Sequence, residues 1–254
     1  MINVKQIPLL SDNYCYLLRD DETGAVAVID PGDAKPVLDE AKRLNWQITD
    51  VILTHHHYDH VDGVAEIKTQ TGATVTGPTK DNHRIDHLDR TVDGGDTLTF
   101  GSQTAKVFYV PGHTLGHIAY WFGKANILFP GDSLFALGCG RLFEGTPEMM
   151  WQSLQQYLTL PEQTVVYCAH EYTLANADFA LTIDPTNKNL IQRVAEIRKL
   201  RSEDKPTVPS RLDEEFKTNP FLRPNDPHIR EQLKMVSATD AEVFKEIRLR
   251  KDNF

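Results

Sequence analysis

Thr54-His55-His56-His57-Tyr58-Asp59-His60 follows directly on the apolar run Val51-Ile52-Leu53 and sets five potential metal ligands in seven residues. His55 and His57 stand two apart, so at an extended strand exit they point the same way, while the adjacent Asp59 and His60 diverge and can serve a second ion. Two metals are suggested rather than one. The helical zincin arrangement, His-Glu-x-x-His, occurs nowhere in the chain. A tag remnant or an adventitious histidine patch is the bland alternative. It fits poorly, because the run lies inside the chain between a strand-like and an amphipathic segment and includes an aspartate that a tag does not need.

The chain has 254 residues, enough to bury a large core and to divide in two, and its 40% hydrophobic and 25% charged content is that of a globular protein. No stretch approaches the roughly 18 apolar residues of a membrane span. Met1-Ile2-Asn3-Val4-Lys5-Gln6 lacks a basic segment followed by an apolar one, so the cytoplasm is the expected location and no membrane partner is expected. Cys15, Cys139 and Cys168 are odd in number and far apart, which argues for reduced thiols. A net charge of -9 disfavours nucleic acid as a partner, since duplex binding depends on lysine and arginine meeting phosphates. An anionic ligand must therefore find a local positive patch.

Strands are expected at Val4 to Leu18, Ala25 to Ile29, Asp50 to Leu53, Ala73 to Gly77, Thr97 to Phe100, Ala105 to Val110, Ile118 to Phe122, Ile127 to Phe129 and Gln163 to Cys168. Helices are expected at Ala34 to Leu44, Val61 to Thr71 and Pro147 to Leu158, with Pro147 suited to a helix start. From Leu174 onward glycine is absent, charge rises and helical patterns such as Leu190 to Arg201 and Ala238 to Arg250 dominate. The reading is an α/β metal domain over 1–173 followed by a mostly helical domain over 174–254.

In a layered α/β fold a metal site is assembled by loops at one sheet edge, so further ligands should sit at other strand exits. Val110-Pro111-Gly112-His113, Phe129-Pro130-Gly131-Asp132 and Val166-Tyr167-Cys168-Ala169-His170 each deliver one His or Asp in this way. Taken singly, each is better read as structural; the case lies in their shared context. Asp132 has two carboxylate oxygens and can bridge ions roughly 3.5–4 Å apart.

His55-x-His57-x-Asp59-His60 with His113, Asp132 and His170 resembles the metallo-β-lactamase superfamily. Within it, Gly138-Cys139-Gly140-Arg141-Leu142-Phe143-Glu144-Gly145-Thr146 and His170-Glu171-Tyr172-Thr173 are similar to the glyoxalase II, or hydroxyacylglutathione hydrolase, family. The likeness runs through the C-terminal Arg248-Leu249-Arg250-Lys251-Asp252. It implies an αββα sandwich of the α+β kind with a C-terminal mostly helical, substrate-binding domain. It implies that His55, His57 and His113 hold one metal and Asp59, His60 and His170 the second, with Asp132 bridging. Nitrogen and oxygen donors without thiolate suit zinc first, with iron and manganese as alternatives.

The implied chemistry is hydrolysis of S-(2-hydroxyacyl)glutathione thioesters such as S-D-lactoylglutathione by a monomer. Two cations lower the pKa of a bridging water from about 15.7 to about 7, and the metal-bridging hydroxide attacks the thioester carbon. The leaving thiolate, whose thiol has a pKa of about 8.5, departs without a dedicated acid. Asp59 is a candidate proton acceptor, secondary to its role as ligand. The resemblance assigns the glutathione thioester to Arg141, Phe143, Tyr172, Arg248 and Lys251. Phe143 stands where some relatives have tyrosine, which removes a hydroxyl. Without the resemblance, Arg248, Arg250 and Lys251 would be read as solvating the last helix or meeting its dipole.

His83 and His87 lie in a polar stretch and are read as surface residues, His56 as pointing away from its neighbours, His117 as packed behind the ligands, and Cys168 as a small hydrophobe. Among rivals, a β-lactamase would carry a cysteine ligand, a nuclease would want a basic surface, and a flavin-linked oxidoreductase would need more than residues 174–254, since a domain typically has roughly 100–150 residues. An acyl-CoA or other thioesterase, a lactonase, and a non-catalytic metal-binding protein remain as alternatives.

Overall fold

The computed structural model describes residues 1–254, and packing separates them into two units. The first contains Met1–Val110 and Leu115–Gly131, the second Pro111–Thr114 and Asp132–Phe254.

In the first unit, β1 (Ile2–Leu9), β2 (Asn13–Asp20) and β3 (Val26–Ile29) are antiparallel neighbours. The continuous strand expected from Val4 to Leu18 is a hairpin, turned at 10–12 with Leu10 at φ 50°. Helix α1 (Ala34–Leu44) leads to β4 (Asp50–Ile52), parallel to β3. Asp33 caps α1 by accepting from the Lys35 N–H, and Ala34, Val37 and Ala41 form its buried stripe. The helix expected over Val61 to Thr71 is two, a single turn α2 (Tyr58–Val61) and α3 (Val64–Thr71), separated at Asp62-Gly63. The parallel strands β5 (Thr74–Pro78) and β6 (Arg90–Val92) complete a six-stranded sheet. β7 (Thr97–Phe100), β8 (Gln103–Tyr109), β9 (Ile118–Phe122) and β10 (Ile127–Phe129) run antiparallel in a second sheet.

Alternation along β2 builds two cores from one strand. Cys15 and Leu17 face α1 and α3, in a cluster with Val28, Val37, Val51, Ile67 and Val75. Tyr16 faces the other way, its ring 5.5 Å from Phe129 in the second sheet, and Phe122 continues this layer at 6.1 Å from Phe129. Such ring pairs add about 0.5–1.5 kcal/mol each beyond the apolar area they bury. At the exit of β4 the sheets are tied by polar bonds: Tyr120 donates its hydroxyl to the Leu53 carbonyl at 2.8 Å, and the Ile118 N–H donates to Thr54 at 3.0 Å. The histidine run leaves the sheet from this fixed point.

The second unit has a small hairpin, β11 (Leu134–Phe135) with β12 (Gly138–Cys139), a helix α4 (Pro147–Tyr157), and an antiparallel pair, β13 (Val165–Val166) with β14 (Ser210–Arg211). Its remaining helices are α5 (Thr173–Ile183), α6 (Lys188–Ser202), α7 (Leu212–Thr218), α8 (Pro227–Leu233) and α9 (Asp240–Asp252). Pro111–Thr114 belongs here because Ser153 on α4 donates to the Pro111 carbonyl at 2.7 Å. A fully buried carboxylate, Glu215, accepts from the Leu137 N–H, Asn219 and Arg193, and so holds the turn of the β11–β12 hairpin against α6 and α7. No helix is long and apolar enough to cross a membrane.

Candidate metal centre

Four of the expected ligands lie in the first unit. His55 and His60 are buried, while His57 and Asp59 are partly exposed. The ring of His55 stands 4.7 Å from that of His57 and 4.2 Å from that of His60, and His60 Nε2 is 3.6 Å from Asp59 Oδ2. Four donor side chains are thus gathered at the end of β4.

Their orientation depends on Asp30, at the exit of β3. Its carboxylate accepts the Thr54 N–H at 2.8 Å and the Thr54 hydroxyl at 2.7 Å, and lies 3.1 Å from His60 Nδ1. The Thr54 hydroxyl proton is committed to that carboxylate, so the 3.0 Å contact between Thr54 Oγ1 and His55 Nδ1 requires the proton on Nδ1 of His55. A carboxylate beside His60 Nδ1 requires the same there. Both rings consequently carry their lone pair on Nε2, the tautomer of a metal-binding histidine whose other nitrogen is held by a carboxylate or hydroxyl. Sequence reading missed Asp30 and Thr54, although Asp30 ends the apolar run Val26–Ile29 just as the expected ligands end theirs.

Neighbouring histidines are occupied elsewhere. His56 faces Asp81, with Nδ1 3.0 Å from its Oδ2, and His117 is buried and stacks on His55 at 4.6 Å. His83 and His87 are exposed.

The other three expected ligands lie in the second unit, all buried. Asp132 Oδ2 sits between two imidazoles, 3.4 Å from His113 Nε2 and 3.3 Å from His170 Nε2. A single oxygen facing two nitrogens from different segments is the placement a bridging carboxylate needs. His113 Nδ1 donates to the Arg141 carbonyl at 2.8 Å, which again leaves the lone pair on Nε2. His170 is stacked on Tyr172 at 4.6 Å and 6°, with the Phe135 ring edge-on at 5.8 Å. Gly140 admits the backbone of Asp132: a Cβ there would fall 2.0 Å from its carbonyl oxygen.

In both units the donors are imidazole nitrogens, with the lone pair on Nε2 in His55, His60 and His113, and carboxylate oxygens. This set fits divalent transition metals. The cysteines are buried, and burial pushes Cys168 up to about 12 and Cys139 up to about 11, the latter against the opposing pull of Arg248.

Residues expected to contact substrate also fall in the second unit. Phe143 is 62% exposed and meets His113 edge-on at 5.2 Å. Arg141 projects outward, with Nε 3.6 Å from Asp252 Oδ1. Arg248 is buried: it donates to the Cys139 carbonyl at 2.9 Å, pairs with Asp252 at 2.9 Å, and lies 5.1 Å from the centre of the Phe221 ring. Lys251 donates to the Ala175 carbonyl at 3.1 Å beside Phe179 and Phe254; burial and then the charge of Arg248 hold its ammonium below its ordinary pKa.

Residues 10–170 match the family model of the metallo-beta-lactamase superfamily, and residues 171–254 that of the hydroxyacylglutathione hydrolase C-terminus. A hydroxyacylglutathione hydrolase from Rhodospirillum rubrum is 51% identical over 253 residues, covering 100% of this chain and 99% of its own length. One from Methylococcus capsulatus is 51% identical over 254 residues, with the same coverage. Among solved structures, the BLEG-1 B3 metallo-beta-lactamase superposes with a TM-score of 0.68 at 26% identity, over 87% of this chain and 100% of that one. Likeness across both segments at this identity, together with the α+β fold, establishes that the chain belongs to the hydroxyacylglutathione hydrolase family of the metallo-β-lactamase superfamily.

Proposed function

We propose that this chain hydrolyses S-(2-hydroxyacyl)glutathione thioesters such as S-D-lactoylglutathione, giving glutathione and a 2-hydroxy acid. The carrying observation is Asp132 Oδ2 between His113 Nε2 and His170 Nε2, in a chain whose full-length relatives are named for this reaction. In this reading His55, His57 and His113 hold one ion and Asp59, His60 and His170 the other, with Asp132 shared. Zinc is the first choice, and iron or manganese would suit the same donors. When bound, such a pair supplies Lewis acidity and lowers the pKa of water to about 7.

The chain's own groups do the rest. Asp59, first a ligand, is also the candidate to orient the attacking water and take its proton. Phe143 and Tyr172 offer apolar contact to the thioester, and Arg141 offers charge to a glutathione carboxylate. Arg248 and Lys251 shape that region, the first by holding Cys139 and Asp252. Residues 174–254 form the substrate-binding part. The leaving thiolate needs no general acid, because its thiol pKa is about 8.5. The protein acts in the cytoplasm as a monomer on a small molecule, and its net charge of -9 suits no nucleic acid.

A thiol-release assay on the metal-loaded protein, run across glutathione and coenzyme A thioesters, tests the reading. Turnover of S-D-lactoylglutathione with much weaker release from acyl-CoA is expected. Preference for coenzyme A would overturn the substrate, and absence of turnover on every ester would point to a metal-binding protein without catalysis.

A further inference from the structure

Asn13 opens β2 directly after the turn at 10–12 and is 5% exposed. A buried amide at a loop end must hydrogen-bond, and this one reaches 46 residues along the chain: Nδ2 donates to Asp59 Oδ2 at 2.8 Å and approaches the Asp59 backbone oxygen at 3.4 Å. The same Oδ2 lies 3.6 Å from His60 Nε2. On the other side of Asp59 stands Gly32, where a Cβ would lie 1.9 Å from the Asp59 carbonyl oxygen. Asp59 is therefore held between a backbone that tolerates only glycine and an amide that grips its carboxylate. Asp59 itself sits in a helix of a single turn, which offers little rigidity of its own.

We infer that Asn13 is a positioning residue that fixes the Asp59 carboxylate beside His60 Nε2 and so sets the affinity of one of the two cation sites. The inference rests on the two-ion reading above, in which Asp59 and His60 belong to the same ion. Asn13 touches neither substrate nor a reacting atom; it acts through the ligand it orients. Its action is selective, because its hydrogen bonds go to Asp59, whereas His55 is oriented by Thr54 at the exit of β4.

The test is calorimetric titration of the metal-free full-length protein with zinc alone, for wild type and Asn13→Ala. Wild type should take up two ions. Asn13→Ala should bind the first within about threefold of wild type and the second about 10–100-fold more weakly, the usual cost of losing a group that orients a ligand. At limiting zinc kcat should fall in step with second-site occupancy while KM stays within about twofold. Where Asn13→Ala fails to fold, Asn13→Ser, whose hydroxyl is too short to reach Asp59, serves in its place. Unchanged affinity at both sites, or equal weakening of both, overturns the inference. A wild type that binds fewer than two ions overturns the two-ion reading itself, and the inference with it.

Discussion

Replacing Arg248 by alanine separates a stability role from a substrate role in one residue. The guanidinium makes three buried or half-buried contacts: the Cys139 carbonyl at 2.9 Å, the Asp252 carboxylate at 2.9 and 3.1 Å, and the face of Phe221 at 5.1 Å. Removing it strands the Cys139 carbonyl at a cost of about 1–3 kcal/mol. Losing the partly exposed Asp252 pair adds about 0.2–1 kcal/mol, and losing the ring contact about 0.5–1 kcal/mol. Together the loss is about 2–5 kcal/mol, which for a chain of this size lowers Tm by roughly 4–20 °C. Arg141→Ala is the contrasting variant: its side chain is exposed and its one long ion pair contributes little, so Tm should move by less than about 2 °C while KM rises. Differential scanning calorimetry beside steady-state kinetics on S-D-lactoylglutathione reads both quantities. An Arg248→Ala protein with wild-type Tm and a raised KM would refute the reasoning, since it would make the guanidinium a substrate group and its internal contacts idle.

Asp30→Ala removes the acceptor that sets His60 Nδ1 and anchors Thr54, so metal retention on dialysis, followed by elemental analysis, should weaken about 10–100-fold. Phe143→Tyr restores a hydroxyl at an exposed ring beside His113 and should lower KM for glutathione thioesters by about 2–10-fold, the worth of one hydrogen bond; an unchanged KM places that ring away from the ligand. Asp20 contributes to stability in a pH-dependent way. Burial pushes its carboxyl up, but the Ser102 N–H and the Thr23 and Ser102 hydroxyls outweigh this and hold it well below the usual range. A lowered folded pKa gives stability that is fully present above the unfolded value of about 4 and is lost as pH falls below it. Urea midpoints of wild type and Asp20→Asn should therefore differ at pH 7, and the difference should begin to shrink only below about pH 4 and close as the pH nears the lowered folded pKa.

The candidate ligands were legible because each ends an apolar strand: His55 after Val51 to Leu53, His113 after Ala105 to Val110, Asp132 after Ile127 to Phe129. Such runs are short, strongly patterned and local, so the fold class and a candidate site could be read from them together. Asp30 obeys the same rule, but its Asp-Pro-Gly context reads equally as a turn. What the sequence hid depends on distant partners. Two residues per strand are too few to mark the β11–β12 hairpin, and β6 is polar and largely exposed. Arg248 lies between buried Ile247 and exposed Leu249, and nothing local reveals that a carbonyl 109 positions earlier accepts a hydrogen bond from it. Asn13 is likewise ordinary until the fold brings Asp59 to it.

The proposed thioester hydrolysis depends on cations bound at these histidines and carboxylates. Its most direct test is glutathione release from S-D-lactoylglutathione measured while metal-free protein is titrated with zinc and its bound metal is counted. No turnover is expected without metal, and the rate should rise to a plateau at two ions per chain, with Asp132→Ala silent throughout. Full turnover by chelated, metal-free protein would contradict it.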